Sequence, residues 1–517
     1  MKILYVSSRS VTVLLDESGH YEARSPLRLR LNGEDRGSVS RSVESLFGLW
    51  PQTCYILEAT AEDGRTDQVE FETLPEFCTL NVRDFGAAGD GITEDTAKIQ
   101  AALLCCPEGG RVLIPEGRYL TGPLFLRSGI TVEIARGAVL QMLLDRASYP
   151  ILPGTVRSTD EQEELILGMF EGNPLPCFAG AINGFDIHDT ALIGEGVVDG
   201  RAQDSDWWDS PKDRVGGAFR GSLFYLQRCR NITVQGITFR NSPCWNLHPA
   251  FSEDLDFLNI RISAPYTSPN TDGFDPESCC RVRLLGAEIS VGDDCVALKS
   301  GKVYLGRRYH IPCDQVEIAY CAMLDGHGGV TAGSEMAGGV LNVRVHHCYM
   351  RGNDRGLRIK TRRGRGKFGV IDHIRFEDVL MDGVKIPLVV NALYYCDPDG
   401  QTSYVQSREP LPVDEDTPRI GTLIYERVQA LRCRGCVAYV LGLPERPVER
   451  IVFADCSFDF EPSAEPVPNP AMADGVEPVA NQGILLHYVD RVDLRGTRIT
   501  GISGQMVECT QVRALNS

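Results

Sequence analysis

The chain has 517 residues, with 52 basic and 70 acidic side chains and a formal net charge of -18. Glycine supplies 52 residues, hydrophobics are 43% and charged residues 24%, a globular composition and not a disordered one. The acidic balance argues against nucleic acid or an anionic membrane as the main partner, and no apolar run approaches the roughly 18 residues of a membrane-spanning helix. At the N-terminus the apolar stretch is broken by Ser7, Ser8, Arg9 and Ser10, and Asp16 and Glu17 follow. This does not read as a secretory signal, so the expected location is cytoplasmic, or the chain is a mature form. The 18 cysteines are then expected as reduced thiols acting as small buried hydrophobes. Adjacent pairs such as Cys105-Cys106 and Cys279-Cys280 fit that reading. Cys433 and Cys436 have CxxC spacing, but a lone CxxC reads as core packing before zinc.

Residues 1–76 contain short alternating stretches, Val11 to Leu14 and Tyr55 to Ala59, that predict strands. Ala61 to Gly64, followed by Val69 to Thr73, fits a closing hairpin. The run Leu49 to Tyr55 resembles the tyrosine-corner segment of fibronectin type III modules, which implies a small β-sandwich. A second unit, 77–517, opens with a glycine-rich stretch from Asn81 to Gly91. One amphipathic helix follows, with Thr93 or Asp95 as cap and Ile99, Ala102 and Leu103 as its apolar face.

Short β bursts then repeat. Ile232-Thr233-Val234, Leu255-Asp256-Phe257, Val282-Arg283-Leu284, Val316-Glu317-Ile318, Val343-Arg344-Val345 and Ile374-Arg375-Phe376 each set two apolar residues around a polar one. Their centres lie 23, 27, 34, 27 and 31 residues apart. The pattern returns at Ile451-Val452-Phe453 and Val492-Asp493-Leu494. Irregular periods of this size predict an all-β solenoid, a parallel β-helix, with the early helix capping its first coil. Two stretches break the repeat, 144–177 and 456–482. Their composition predicts solvated loops, with walls of a binding cleft as the alternative.

Four motifs fall one coil apart. Asp293 comes 21 residues after Asp272, His327 comes 33 after Asp294, and Arg358 comes 31 after His327. Successive coils therefore place Asp272, Asp293, Asp294, His327, Arg358 and Lys360 on one face, with Ile359 turned inward. Carboxylates that close repel, and at least one is expected to hold a proton beside others that stay charged. That is the requirement for general acid/base cleavage of a glycosidic bond. An Arg/Lys pair can hold an anionic group of a substrate. Taken singly, the aspartates also fit turns or a Ca²⁺ site, and His327 fits a loop. Eight basic residues in the 17 from Arg351 to Lys367 also fit a solvated face. The four motifs at coil spacing favour the chemical reading.

NTDGFD at 270–275, GDDC at 292–295, GHGG at 326–329 and RIK at 358–360 together resemble the signature of glycoside hydrolase family 28, the polygalacturonases. Gly194 to Gly200, Trp207-Trp208 and Asn241 to Trp245 are similar to further family segments. The resemblance spans about residues 80–455. It implies a right-handed parallel β-helix that hydrolyses α-1,4-galacturonosidic bonds with inversion. It implies Asp293 as general acid, Asp272 and Asp294 activating water, and His327 supporting the acid. It also implies Arg358, Lys360 and Tyr395 binding the substrate, with Tyr394 the competing choice for the last. No metal or cofactor is implied. The stretch Gly328 to Val340 and the domain ahead of the β-helix resemble bacterial exo-acting members, in which inserted loops close one end of the cleft. The expected partner is a galacturonate-containing oligosaccharide; oligomeric state is not legible. The alternatives are a hydrolase of rhamnogalacturonan or xylogalacturonan, a Ca²⁺-dependent pectate lyase, and a non-catalytic glycan-binding β-helix.

Overall fold

The computed structural model describes residues 1–158, 164–461 and 465–516. The first seven strands form two antiparallel sheets. Lys2–Val6, Ser10–Leu14 and Val43–Phe47 make one. Glu34–Arg41, Glu22–Leu31, Cys54–Ala61 and Thr66–Glu72 make the other, in that order. Alternation supplies the core between them: Tyr55, Leu57 and Ala59 are buried while Cys54 and Ile56 are exposed. The Tyr55 hydroxyl accepts a hydrogen bond from the Trp50 amide at 2.9 Å, tying down the chain before its strand. This unit sits against the flank of the solenoid. Ser10 Oγ donates to Gln235 Oε1 at 2.5 Å, and Tyr21 donates to Glu288 at 2.6 Å. Leu14 and Val43 pack on Leu258, Leu285 and Ala319.

The rest is a right-handed parallel β-helix. Helix Thr96–Cys105 covers the first coil, burying Ile99, Ala102 and Leu103 on the end of the core. Of the two predicted caps, Asp95 immediately precedes it, but its carboxylate accepts from the Ala88 and Gly89 amides at 2.8 Å each and from Lys98 Nζ at 3.1 Å, and makes no capping bond to a helix amide. A 13-stranded parallel sheet forms one face, from Asp90–Glu94 to Arg498–Thr500. The predicted bursts lie in exact register on another: Ile232, Leu255, Val282, Val316, Val343 and Ile374 are successive partners. The ladder continues through Leu423 to Ile451 and Val492. The coil at Leu423-Ile424-Tyr425 was not among the predicted bursts; it follows a long excursion from 392 to 418 that stretches the period. Identical spacing of inward residues makes side chains stack along the axis. Phe224, Leu247 and Phe274 lie in one such ladder, and Phe257 from the neighbouring face packs its ring against both phenylalanines, with centroids 6.2 and 4.6 Å away.

All 18 cysteines are free, and Cys433 and Cys436 both lie in the core. No helix among the described residues is long and apolar enough to cross a membrane.

The two interrupting stretches are packed. Within 144–177, of which 159–163 fall outside the described residues, Ile151–Leu152 pairs with Cys177–Phe178 and Thr155–Arg157 with Glu164–Ile166. Leu152, Ile166 and Met169 share a small core with Tyr225 and Leu305. Residues 456–482, of which 462–464 fall outside the described residues, begin with strand Ser457–Phe460 of the 13-stranded sheet. They then cross the outer face of the coils containing Arg355 and Asn391.

Candidate active site

Asp272 and the Asp293-Asp294 pair come from adjacent coils. Phe274, fully buried in its ladder, bridges Leu247 on one side and Val296 on the other. The Asp272 carbonyl accepts from the Asn246 amide at 2.8 Å, and the Gly273 amide donates to the Asp294 carbonyl at 2.9 Å. Core packing thus fixes the backbone from which the carboxylates project. One oxygen from each of Asp272, Asp293 and Asp294 lies within 4.8 Å of the others. A hard cation could be held by such a set, but here Lys360 and Arg358 already supply positive charge. Lys360 Nζ donates to Asp294 Oδ2 at 2.7 Å and Arg358 Nη1 to Asp294 Oδ1 at 3.3 Å.

The strand register refines the predicted stack. Asp294 pairs with Gly328 and then Arg355, while Arg358 pairs with Thr331. Arg358 and Lys360 therefore reach Asp294 with long side chains from farther along their strand. Leu357 and Ile359 point into the core, which leaves Arg358 and Lys360 on the cleft side. Gly328 explains part of the GHGG motif: a Cβ there would lie 2.5 Å from Asp294 Oδ1. His327, one residue earlier, sits at the rim with its side chain 42% exposed. Its amide donates to the Asp293 carbonyl at 2.9 Å, and Nδ1 lies 3.4 Å from Asp293 Oδ1. The Tyr266 ring meets the imidazole edge-on at 6.0 Å.

The three carboxyls hold protons unequally. Burial and the neighbouring Asp293 charge raise Asp272 far above the usual carboxylate range. For Asp294 burial acts in the same direction, but Lys360 and Arg358 outweigh it and hold the group far below that range. Burial also opposes the Asp293 charge; the His327 contact outweighs it and leaves Asp293 below its ordinary value. His327 is correspondingly raised, first by its hydrogen bond with Asp293. The free protein thus favours a proton on Asp272 and, beside Asp293, holds one on the imidazole more firmly than on an ordinary histidine.

Tyr394 and Tyr395 divide their tasks. The Tyr394 ring is buried under both cations, 5.6 Å from the Arg358 guanidinium and 5.4 Å from Lys360 Nζ. The Tyr395 hydroxyl instead accepts from Asn469 Nδ2 at 3.2 Å, in the crossing segment. Of the two, Tyr394 touches the charged centre.

The sequence pattern of Glycosyl hydrolases family 28 matches residues 175–408, and that of the Rhamnogalacturonase A/epimerase, pectate lyase-like family matches 79–132. A probable polygalacturonase of Vitis vinifera is 34% identical over 55% of this chain; the match spans 57% of that relative's length. An endo-polygalacturonase of Pectobacterium carotovorum subsp. carotovorum is 31% identical over 68% of this chain and 81% of its own. The chain belongs to glycosyl hydrolase family 28. The solved exopolygalacturonase of Thermotoga maritima superposes with a TM-score of 0.62 at 25% identity, covering 83% of this chain and 93% of the other. This family 28 chain is a glycoside hydrolase with the family's β-helix.

Three charged groups beside the aspartate motifs of this family 28 chain escaped the sequence reasoning. Lys299 Nζ donates to Glu335 Oε2 at 3.0 Å and lies 3.6 Å from both Asp272 and Asp275. Only Asp275 had a signal, as the second aspartate of NTDGFD. The basic run from Arg351 to Lys367 is not a solvated face. Arg355, Arg358, Lys360, Arg362, Arg363 and Arg365 are all buried. Arg363 grips Glu445 with two bonds of 2.7 and 2.8 Å and also donates to three backbone carbonyls. Arg362 pairs with Asp399 at 2.8 Å. Much of this run therefore braces loops and does not face solvent.

Proposed function

We propose that this family 28 enzyme hydrolyses α-1,4-galacturonosidic bonds, removing sugars from the ends of galacturonan oligomers. The observation that carries the reading is the contact of three carboxylates with His327 on one of them and Lys360 with Arg358 on another. In this reading His327 Nδ1 gives its proton to Asp293, which passes it to the leaving oxygen. Asp272 takes the proton of the attacking water: a carboxylate with high proton affinity is the stronger base, once ionised. Asp294 stays charged and holds Lys360 and Arg358 where a galacturonate carboxylate can share them.

The exo preference rests on the walls. Segment 465–481 crosses the coils on the Arg358 side, and the Gly172 carbonyl accepts from the Lys302 amide at 2.8 Å on the other. Walls that close one end of the cleft would admit chain ends and exclude chain middles. Inversion is part of the proposal, although the carboxylates are closer than the roughly 6.5–9.5 Å usual for inverting glycosidases. The attacking water must therefore sit beside the cluster and not between two distant acids.

Time-resolved product analysis on a defined oligogalacturonide tests all of this together. Free galacturonate should be the first and main product, and proton NMR should show it first in the β-anomeric form. Absence of hydrolysis would sink the function. Dimers and trimers appearing ahead of free galacturonate would sink the exo preference, and an initial α-anomer would sink inversion.

A further inference from the structure

Lys299 is a buried ammonium with one hydrogen-bonded anion and two more at equal distance. Glu335 Oε2 accepts at 3.0 Å, while Asp272 Oδ2 and Asp275 Oδ1 each stand 3.6 Å away, beyond hydrogen-bond reach. Its charged end lies over the Trp245 ring, 4.3 Å from the centroid. Both carboxylate oxygens of Asp275 are buried and have no hydrogen-bond partner among the described residues. A buried carboxylate in that state is costly unless it is neutral or paired. Lys299 is thus the nearest cation to two acids at once, and its hydrogen bond is given to a third.

We propose that Lys299, held by Glu335, is a positioning residue that divides its charge between Asp272 and Asp275 and so sets how readily Asp272 accepts the proton of the attacking water. The proposal rests on the base role of Asp272 given above. Other charged groups act on Asp272 too. Asp293 and Asp294 oppose its ionisation, and Lys360 favours it from the far side of Asp294. The Cys244 thiol faces it as well. On the Glu335 side, Lys302 and Arg365 add positive charge that keeps Glu335 ionised, after Lys299 itself has offset the effect of burial. Glu335 is therefore a standing anion that competes for Lys299. Any loosening of that grip hands more of the cation to Asp272.

This gives two changes with opposite signs. Lys299→Met removes the nearest cation from Asp272, which should then hold its proton to higher pH. Glu335→Gln removes the competing anion, so Asp272 should ionise at lower pH. A neighbouring charge at this range moves a carboxyl by about one pH unit or more. The measurement is the carboxyl ¹³C titration of Asp272 in protein with labelled aspartate, assigned with Asp272→Asn, alongside the acid limb of kcat/KM. Midpoint and limb should rise by about one pH unit or more in Lys299→Met, fall in Glu335→Gln, and stay near wild type in Lys299→Arg. Shifts of the same sign in the first two variants, or none, overturn the proposal. Should Lys299→Met not fold, Glu335→Gln alone decides, since an unmoved or raised midpoint is fatal. If the wild type hydrolyses no galacturonide, the functional reading fails, while the titration still reports on Lys299.

Discussion

At the scale of single residues, the chemistry turns on where protons reside. His327 is raised because its charged form is bonded to Asp293. The sign follows directly: the imidazolium persists below that raised value and is lost as pH rises through it. Loss of the imidazolium removes the proton that recharges Asp293, so the alkaline limb of kcat/KM should lie above the ordinary histidine value of about 6.5. Replacing His327 by Ala should lower kcat by about a hundredfold. It should also move the alkaline limb to lower pH, because a carboxyl then becomes the group that must keep its proton. Asp293→Asn should cost about 10²–10⁴ in kcat with that limb abolished. A pH profile of the His327 variant that superimposes on wild type would remove His327 from the proton path. The sequence made these residues legible because their type and coil spacing recur in one order. Lys299 and Glu335 were not legible: their meeting depends on where two strand ends bend, 36 residues apart, and neither belongs to a catalytic motif.

At the scale of elements, the β-helix was readable because inward apolar positions must repeat once per coil. The bursts therefore fell into register without further information. What interrupts the coils was less readable. The stretch 465–481 has the composition of a solvated loop, yet its carbonyls satisfy buried donors of the strands below. Arg355 Nε donates to the Pro470 carbonyl at 3.2 Å, and Asn391 Nδ2 donates to the Ala471 and Met472 carbonyls at 2.5 and 3.2 Å. Composition cannot show that a backbone supplies such acceptors. The contact has a testable consequence. Asn391→Ala should release two carbonyls and cost about 1–3 kcal/mol locally. Hydrogen exchange should then quicken at 469–474, and digalacturonate should join galacturonate among the first products. Unchanged exchange with unchanged products would mean that the segment is held elsewhere and does not limit the cleft.

At the scale of the whole molecule, a net charge of -18 faces the polyanionic substrate of the proposed reaction. The local picture is different. Arg355 lies 3.9 Å from its nearest carboxylate, Asp354, and bonds to the carbonyls of Asn469 and Pro470, so its charge adds to that of Arg358. Burial and Arg358 lower its pKa to about 10, which still leaves it charged at neutral pH. The body therefore repels galacturonate at long range while the cleft attracts it at short range. Salt separates the two, because the screening length is about 30 Å at 0.01 M, about 8 Å at 0.15 M and about 3 Å at 1 M. At the lowest salt the substrate feels the whole acidic surface. At intermediate salt it feels mainly the cations of the cleft, and at high salt these too are screened. The specificity constant for trigalacturonate should accordingly rise from 0.01 to about 0.15 M and fall again towards 1 M. A decline from the lowest salt onward would show that the cleft's field dominates at every distance, and that the acidic body plays no part in substrate approach.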